Sequence, residues 1–309
     1  MRREMMRAAM LATFALAAYA QIAAPQLGFI PDGATLRPVA GIPASAIVGS
    51  PIAFTRNISQ SVTAPSQGFA IAVDADSGEV LMLTSDGAAT PIPNVRSKPD
   101  RIQLSPQGSA ALLWYSNIRH AQILSGLPGS PSLRDVDLSF TASDPAALAV
   151  ADDGATLAGS WPGTVIEIAP AGAASLPINS PILVLSFAPG SSDLALVSAT
   201  GATLWNAAGT TVLASFANPI SPVAAALDSH RLIIADASGA ILTVDLASGS
   251  LSTLDCQCTP QGLFPMSRSV YRLTGLSQGA FKLLDADQNA VWFAPLALPS
   301  PPIASGDQQ

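Results

Sequence analysis

Short apolar segments recur along the chain at a steady spacing, and each one begins at a turn-forming or polar residue. Six such segments start at Gly68, Gly108, Gly154, Ser192, His230 and Ser269. Successive starts lie 40, 46, 38, 38 and 39 residues apart. Short apolar runs bounded by Gly, Ser, Asp and Pro are typical of β-strands joined by tight turns. The pattern therefore predicts an all-β protein built from repeats.

The fifth repeat shows how four strands fit into one period. Residues 222–228 (PVAAALD) and 231–237 (RLIIADA) are largely apolar, whereas 240–246 (AILTVDL) and 250–256 (SLSTLDC) mix apolar with small or polar residues. Four strands in about 40 residues is the period of one β-propeller blade. The first strand of a unit, such as ILVLSF from Ile182, is apolar throughout, which predicts an inner strand packed on both faces.

The repeat spacing predicts a single propeller domain over residues 21–298. An additional N-terminal hairpin, 27–39, resembles the third and fourth strands of a unit, with a turn at Asp32 and Gly33. The chain is thus expected to form about six, alternatively seven, four-stranded blades, and six complete blades are favoured. The predicted units lie near 52–95, 101–139, 146–178, 181–217, 222–258 and 261–296.

The two ends of the chain differ from the repeats. Arg2, Arg3 and Arg7 precede an apolar run of about 13 residues that ends in Ala-Tyr-Ala, the layout of a secretory signal peptide over residues 1–20. That run is too short for a comfortable membrane span. The tail, 299–309, is rich in Pro and polar residues and is expected to be disordered. We therefore expect export to the periplasm or the extracellular space.

Composition narrows the classes of partner. Hydrophobic residues make up 49% of the chain and charged residues only 11%, enough apolar residues for a large core. Without the predicted leader, 11 basic and 20 acidic residues remain, and the basic ones are scattered. This charge balance disfavours binding to nucleic acid or to anionic lipid. We expect a monomer without a membrane span.

Two turn motifs resemble those of WD-repeat-like and YVTN-type propellers. One follows the third strand of a unit, in 204–212 (LWNAAGTTV), 243–251 (TVDLASGSL) and 283–291 (LLDADQNAV). The other precedes the second strand, in 104–111 (LSPQGSAA) and 150–157 (VADDGATL). The Gly-His and Trp-Asp signatures of true WD repeats are missing. The resemblance implies the propeller fold and no particular activity.

One acidic turn is a candidate cation site. Asp74, Asp76 and Glu79 lie within the sequence DADSGE, and calcium loops space carboxylates in a similar way. The glycine and the distant bidentate glutamate of a calcium loop are not in register. An aspartate in a tight turn more commonly accepts hydrogen bonds from its own backbone, which is the alternative prediction.

The two cysteines form the most unusual local feature. Cys256 and Cys258 are separated by one residue, so in a strand both sulfurs would lie on the same face. The alternatives are a local disulfide, two free thiols, a redox couple, a soft-metal pair or a link to another chain. No further cysteine is present to extend the set.

No residue pattern predicts catalysis or a cofactor. His120 and His230 are far apart and lack the spacing of a zinc hydrolase, and no G-x-S-x-G nucleophile motif is present. Among the four tryptophans, Trp161 in the turn SWPGT is expected to be the most exposed. The four tryptophans are otherwise expected to pack within the blades.

Three functions remain as hypotheses. The first is a non-enzymatic exported scaffold that binds a protein, a peptide or a glycan through its loop face. The alternatives are an enzyme with an active site in the axial channel, of a lactonase-like or quinone-dependent kind, and a structural component of a surface assembly. Polar side chains that converge at a channel mouth would favour the enzyme.

Overall fold

The computed structural model describes residues 25–65, 68–267, 269–276 and 281–296. These residues form seven antiparallel sheets that follow one another along the chain and close into a ring. The fold is therefore a β-propeller, and the prediction of seven blades rather than six is the one confirmed. The predicted signal peptide, 1–20, and the predicted tail, 299–309, lie outside the described residues.

Each sheet is a meander whose strands pair in chain order from the axis outwards. The sheet nearest the N-terminus, called here the closing blade, consists of β1 (Gln26–Asp32), β2 (Thr35–Ala40) and β3 (Ile47–Val48). Blade 1 consists of β4 (Ile58–Thr63), β5 (Phe69–Asp74), β6 (Val80–Thr84) and β7 (Ala89–Pro91). Blade 2 consists of β8 (Arg101–Leu104), β9 (Ala110–Tyr115), β10 (His120–Ser125) and β11 (Ser132–Asp137). Blade 3 consists of β12 (Ala147–Val150), β13 (Leu157–Trp161), β14 (Thr164–Ala169) and β15 (Gly172–Pro177).

The remaining three blades repeat the same order. Blade 4 consists of β16 (Ile182–Phe187), β17 (Leu194–Ser198), β18 (Gly201–Asn206) and β19 (Gly209–Ser215). Blade 5 consists of β20 (Pro222–Leu227), β21 (Arg231–Asp236), β22 (Ala240–Asp245) and β23 (Leu251–Asp255). Blade 6 consists of β24 (Phe264–Pro265), β25 (Val270–Arg272), β26 (Lys282–Asp285) and β27 (Ala290–Phe293). Single-turn 3-10 helices occupy Pro43–Ser45 and Ser116–Ile118.

The closing blade shows that the prediction for the N-terminal hairpin was wrong in one respect. The hairpin forms the first and second strands of its blade rather than the third and fourth, because β1 lies on the axis side against β4. The sequence pattern of this hairpin is an apolar strand, an Asp-Gly turn and another apolar strand. That pattern is compatible with the first two strands of a blade as well as with the last two. At the outer edge of this blade, Leu296 forms an isolated parallel bridge with Val48.

Seven hydrophobic clusters hold the ring together, one at each junction between neighbouring blades. The alternation of side chains along a strand supplies both faces: in β9, Leu113 packs against blade 1, while Leu112 and Trp114 pack against blade 3. The closing blade packs on blade 6 through Ile30 and on blade 1 through Leu36. The ring is therefore closed by apolar contact at every junction.

In blades 1 to 5 the second strand, not the first, is the one buried on both faces. All six residues of β5 and of β9 are buried, whereas three of the six residues of β16 and four of the six residues of β20 are exposed or half-buried. The apolar first strands were predicted to be packed on both faces, and this prediction was wrong. In the structure the first strands of blades 1 to 6 face a cavity along the axis, so one side of each is not covered.

The ring has two faces of different construction. The hairpin face is formed by the turns between first and second strands and by those between third and fourth strands. The connection face is formed by the turns between second and third strands and by the segments that lead from one blade to the next. Every first strand begins at the connection face and ends at the hairpin face.

Candidate functional site

The connection face carries exposed apolar side chains, and the turns of the hairpin face carry none among the described residues. Ten large hydrophobic residues are exposed in the described part of the chain. Five of them lie on the connection face, either in its loops or at the start of a first strand: Ile42, Ile118, Phe140, Leu183 and Val223. The other five lie on the third or outer strands or beyond them. Contiguous exposed apolar surface marks sites that bind partners, and Ile118 and Phe140 are the two of these residues that lie on neighbouring segments.

Phe140 is the most exposed aromatic side chain on this face, at 64%. It lies in the connection from blade 2 to blade 3, residues 138–146, next to the turn that contains Ile118. The backbone N–H of Leu138 donates a hydrogen bond of 3.0 Å to the carbonyl of Arg119, which joins the two segments. The exposed Phe140 and Ile118 therefore belong to one surface.

Three long side chains fix the loop that presents Phe140. The guanidinium of Arg119 donates to the carbonyl of Thr141, and that of Arg101 donates to the carbonyl of Pro145 at 3.1 Å. The indole N–H of Trp161 donates to the carbonyl of Ser143 at 2.9 Å. Trp161 is only 5% exposed, so the prediction that it is the most exposed tryptophan was wrong. Its ring packs between blades 2 and 3 while its N–H holds the loop.

The basic side chains of the connection face are concentrated near blades 1 and 2. They are Arg56, Arg96, Lys98, Arg101 and Arg119, and acidic side chains such as Asp74, Asp100 and Asp137 lie on the same face. The turns of the hairpin face, and the strand ends beside them, carry nine aspartates: Asp32, Asp86, Asp152, Asp153, Asp193, Asp228, Asp245, Asp285 and Asp287. Several of these aspartates accept hydrogen bonds from backbone N–H groups of their own turn, such as Asp153 from Ala155 and Thr156. The hairpin face is thus polar and anionic.

A cavity of about 580 Å³ follows the axis of the ring. The first strands of blades 1 to 6 line it, from Val223 and Gln261 near the connection face to Pro65, Pro106 and Pro189 near the hairpin face. Most of the lining side chains are aliphatic. The lining carboxylate, Asp228, accepts hydrogen bonds from the backbone N–H groups of His230 and Arg231 and pairs with the Arg231 guanidinium at 3.1 Å.

The acidic turn proposed as a cation site is held by donors from the protein itself. Asp74 is buried and accepts hydrogen bonds of 2.9 Å from the N–H groups of Asp76 and Ser77. The Arg56 guanidinium lies 3.2 Å from Asp74 and 3.4 Å from Glu79. The backbone N–H of Ser77 lowers the pKa of Asp74, burial opposes it, and Asp76 and Arg56 lower it further. The side chain of Asp76 accepts from Asn57 at 2.9 Å.

Cys256 and Cys258 form a disulfide at the exit of β23, with Cα atoms 5.2 Å apart. Cys256 is 1% exposed and packs in the junction between blades 5 and 6. The residue between them, Gln257, has a positive φ of 49°, as the tight turn requires. The redox, soft-metal and cross-linking roles stay predictions.

The two histidines lie apart. His120 pairs with Asp135 at 2.7 Å on the outer side of blade 2, whereas His230 is in a turn of the hairpin face. Hydrogen bonds from His120 and Gln122 lower the pKa of Asp135. Over the described ranges, no three His, Cys, Asp or Glu side chains come close enough to hold a metal ion.

Sequence reasoning missed the loop of Phe140 and the exposed apolar side chains of the connection face. Residues 138–144 (LSFTASD) have the composition of an ordinary polar connection. Phe140, the single aromatic residue among them, was the signal that could have indicated a binding loop. In the described part of the chain, no helix is long and apolar enough to cross a membrane.

Comparisons with known proteins show the fold alone. Neither the models of known protein families nor the curated proteins gave a match, so neither assigns the repeats to the WD or YVTN type. A structure of streptogramin B lyase is similar at a TM-score of 0.60 and 12% identity, over 80% of this chain and 87% of that one. AztD from Citrobacter koseri, in its apo form, is similar at a TM-score of 0.55 and 13% identity, over 86% and 93%.

A third similar structure is PorZ of Porphyromonas gingivalis, a bacterial surface component of the type-IX secretion system. It matches at a TM-score of 0.55 and 15% identity, over 89% of this chain but only 37% of PorZ. Identities of this size carry no function from one protein to another. The similar proteins have different roles, and this chain shares with them a β-propeller scaffold.

Proposed function

We propose that this protein is an exported, non-enzymatic propeller that binds another protein through its connection face. The observation that carries the proposal is Phe140, an exposed aromatic side chain on a loop fixed by Arg101, Arg119 and Trp161. A rigid aromatic side chain loses little conformational entropy on binding, and such residues supply much of the energy of protein interfaces.

The surroundings of Phe140 support a protein or peptide partner more than a glycan. The neighbouring exposed side chain is the aliphatic Ile118, and basic side chains such as Arg101 and Arg119 lie at the rim. Aliphatic surface with charged residues around it is the usual anatomy of a protein interface.

Export is part of the proposal and rests on the N-terminal sequence. Arginines followed by an apolar run and Ala-Tyr-Ala have the layout of a secretory signal peptide. The prediction is that the mature protein begins near Gln21. N-terminal sequencing of the protein purified from its source cells tests this, and an intact Met1 would contradict it.

Site-specific photo-crosslinking in the source cells tests the partner surface. A photoreactive amino acid replaces Phe140 or Ile118 on the connection face, and Ala208, in an exposed turn of the hairpin face, is the matched control. We expect positions 140 and 118 to give one and the same protein adduct, and position 208 to give none. Equal labelling from all three positions would overturn the proposal, as would no adduct from any.

A further inference from the structure

Tyr271 holds a phenol group that the protein itself does not use. It lies in β25 of blade 6, contributes to the wall of the axial cavity and packs against the junction with blade 5. Its oxygen makes no hydrogen bond with any part of the chain that the structure describes. Burial raises the pKa of Tyr271 to about 12, so the phenol keeps its proton throughout the physiological range. Tyr271 is half-buried, so its hydroxyl is available to donate a hydrogen bond to a molecule inside the cavity.

The opposite wall of the cavity carries a second unused polar group. Gln103 lies in β8 of blade 2, across the ring from blade 6, and its side-chain amide makes no hydrogen bond within the described ranges. Between these two groups the walls are aliphatic, with Leu104, Val184 and Leu263 among them. A cavity with apolar walls and a few separate polar groups is the usual form of a small-molecule site.

The charged groups beside the cavity are paired with one another in the described part of the chain. The lining carboxylate, Asp228, accepts hydrogen bonds from two backbone N–H groups and pairs with the Arg231 guanidinium, which also pairs with Asp287 at 2.5 Å. An anion would meet aliphatic walls and this carboxylate, and a cation would have to compete with Arg231. Transfer of a charged group into such surroundings is unfavourable. The volume of about 580 Å³ lies within the range of sites that hold molecules of drug size.

We propose that the axial cavity binds a neutral, largely apolar small molecule whose hydrogen-bond acceptor receives the proton of the Tyr271 hydroxyl. The aliphatic walls bury the apolar part of that molecule, and the Gln103 amide meets a polar group at its other end. This site is separate from the protein-binding surface around Phe140, so either proposal can fail while the other stands.

The first experiment measures binding of neutral and charged forms of one molecule. Diphenylhexatriene, a neutral hydrocarbon whose fluorescence rises in apolar surroundings, is titrated into the mature protein. Methyl octanoate, an uncharged ester with a carbonyl acceptor, and octanoate, its anion, then compete. We expect saturable binding of one dye per chain and displacement by the ester at a concentration at least tenfold lower than by the anion. Absence of dye binding, or equal competition by ester and anion, would overturn the proposal.

The second experiment removes the donor and leaves the shape. Tyr271→Phe deletes one oxygen from the cavity wall. We expect the affinity for methyl octanoate to fall about tenfold, which is the size of one hydrogen bond to a buried donor. The affinity for the hydrocarbon dye, which has no acceptor, is expected to change less than twofold. An equal change for both molecules, or none for either, would show that the phenol does not contact the ligand.

The third experiment fills the cavity. Ala225→Phe places a ring on the wall at blade 5, and Val184→Phe does the same at blade 4. The control is Ala208→Phe, in an exposed turn away from the axis. Dye binding is expected to be lost in a cavity variant and kept in the control, with thermal melts to confirm that each variant folds. Unchanged dye binding in a folded cavity variant would place the dye elsewhere. If neither cavity variant folds, the Tyr271→Phe result decides.

Discussion

Asp152 joins three blades at the hairpin face, and its removal gives the sharpest test of how the blades are held in register. The residue lies in the turn between the first two strands of blade 3. Its carboxylate accepts a 2.8 Å hydrogen bond from the N–H of Gln107 in blade 2 and another of 2.8 Å from the N–H of Gly190 in blade 4. The side chain of Asp152 thus links the turn of blade 3 to the turns of blades 2 and 4 at the same time.

The expected cost of Asp152→Ala follows from these two bonds. A hydrogen bond to a charged group contributes about 1.5–3 kcal/mol when it is protected from water, and less at the surface. Both bonds here are exposed, so water can solvate the two N–H groups after truncation. We therefore take about 1 kcal/mol for each, a loss of about 2 kcal/mol in the free energy of unfolding. For a domain of this size that lowers the melting temperature by about 4 °C.

Asp193→Ala is the matched control for Asp152→Ala. Asp193 lies on the same face and has the same charge, but its carboxylate makes no hydrogen bond with a described residue. Differential scanning calorimetry of both variants measures the difference. A melting temperature for Asp152→Ala within about 1 °C of the control would refute the view that this carboxylate couples blades 2, 3 and 4.

Three other perturbations test the packing, the pH response and the disulfide. Leu113→Ala opens a space in the junction between blades 1 and 2 and should lower the free energy of unfolding, measured in urea titrations, by about 3 kcal/mol. The control, Leu251→Ala on an exposed outer strand, should change it by less than about 0.5 kcal/mol. Burial raises the pKa of Asp236, but hydrogen bonds from Ser238 and Ser221 outweigh it, so the folded pKa is depressed. Its contribution to stability is therefore full above the unfolded pKa of about 3.9 and is lost as pH falls through the lower folded value. Asp236→Asn should flatten the decline of melting temperature below about pH 4, and an unchanged decline would contradict this assignment. Reduction of the disulfide between Cys256 and Cys258 should leave the circular dichroism spectrum unchanged, because the loop it closes is short and the seven clusters hold the ring.

The repeat could be predicted because the second strands of blades 1 to 5 are buried on both faces. Segments such as those from Gly68 and Gly108 are continuous apolar runs for that reason, and their spacing gives the blade period. The place of the 27–39 hairpin could not be predicted in the same way. Its pattern is local, whereas its position between blade 6 and blade 1 depends on contacts with residues far away in the sequence.

The candidate site could be predicted from the sequence less well than the fold. Exposure of Phe140 depends on three hydrogen bonds from side chains in two blades, and no local pattern encodes them. Trp161 was expected at the surface because it precedes a Pro-Gly turn, yet the neighbouring blade covers its ring. The unused hydroxyl of Tyr271 is likewise a property of the assembled ring.

The bridge between Val48 and Leu296 has a consequence for how the protein is made. These residues are about 250 positions apart, and closure of so long a loop costs about 5 kcal/mol of chain entropy. During synthesis the closing blade emerges first, but its partner in the ring, blade 6, emerges last. The apolar residues Leu27, Ile30 and Val39 stay uncovered on one side throughout that interval. Folding of the ring is therefore expected to be slow and to complete only after blade 6 has emerged, which makes the closing blade, residues 26–48, the segment most in need of a chaperone.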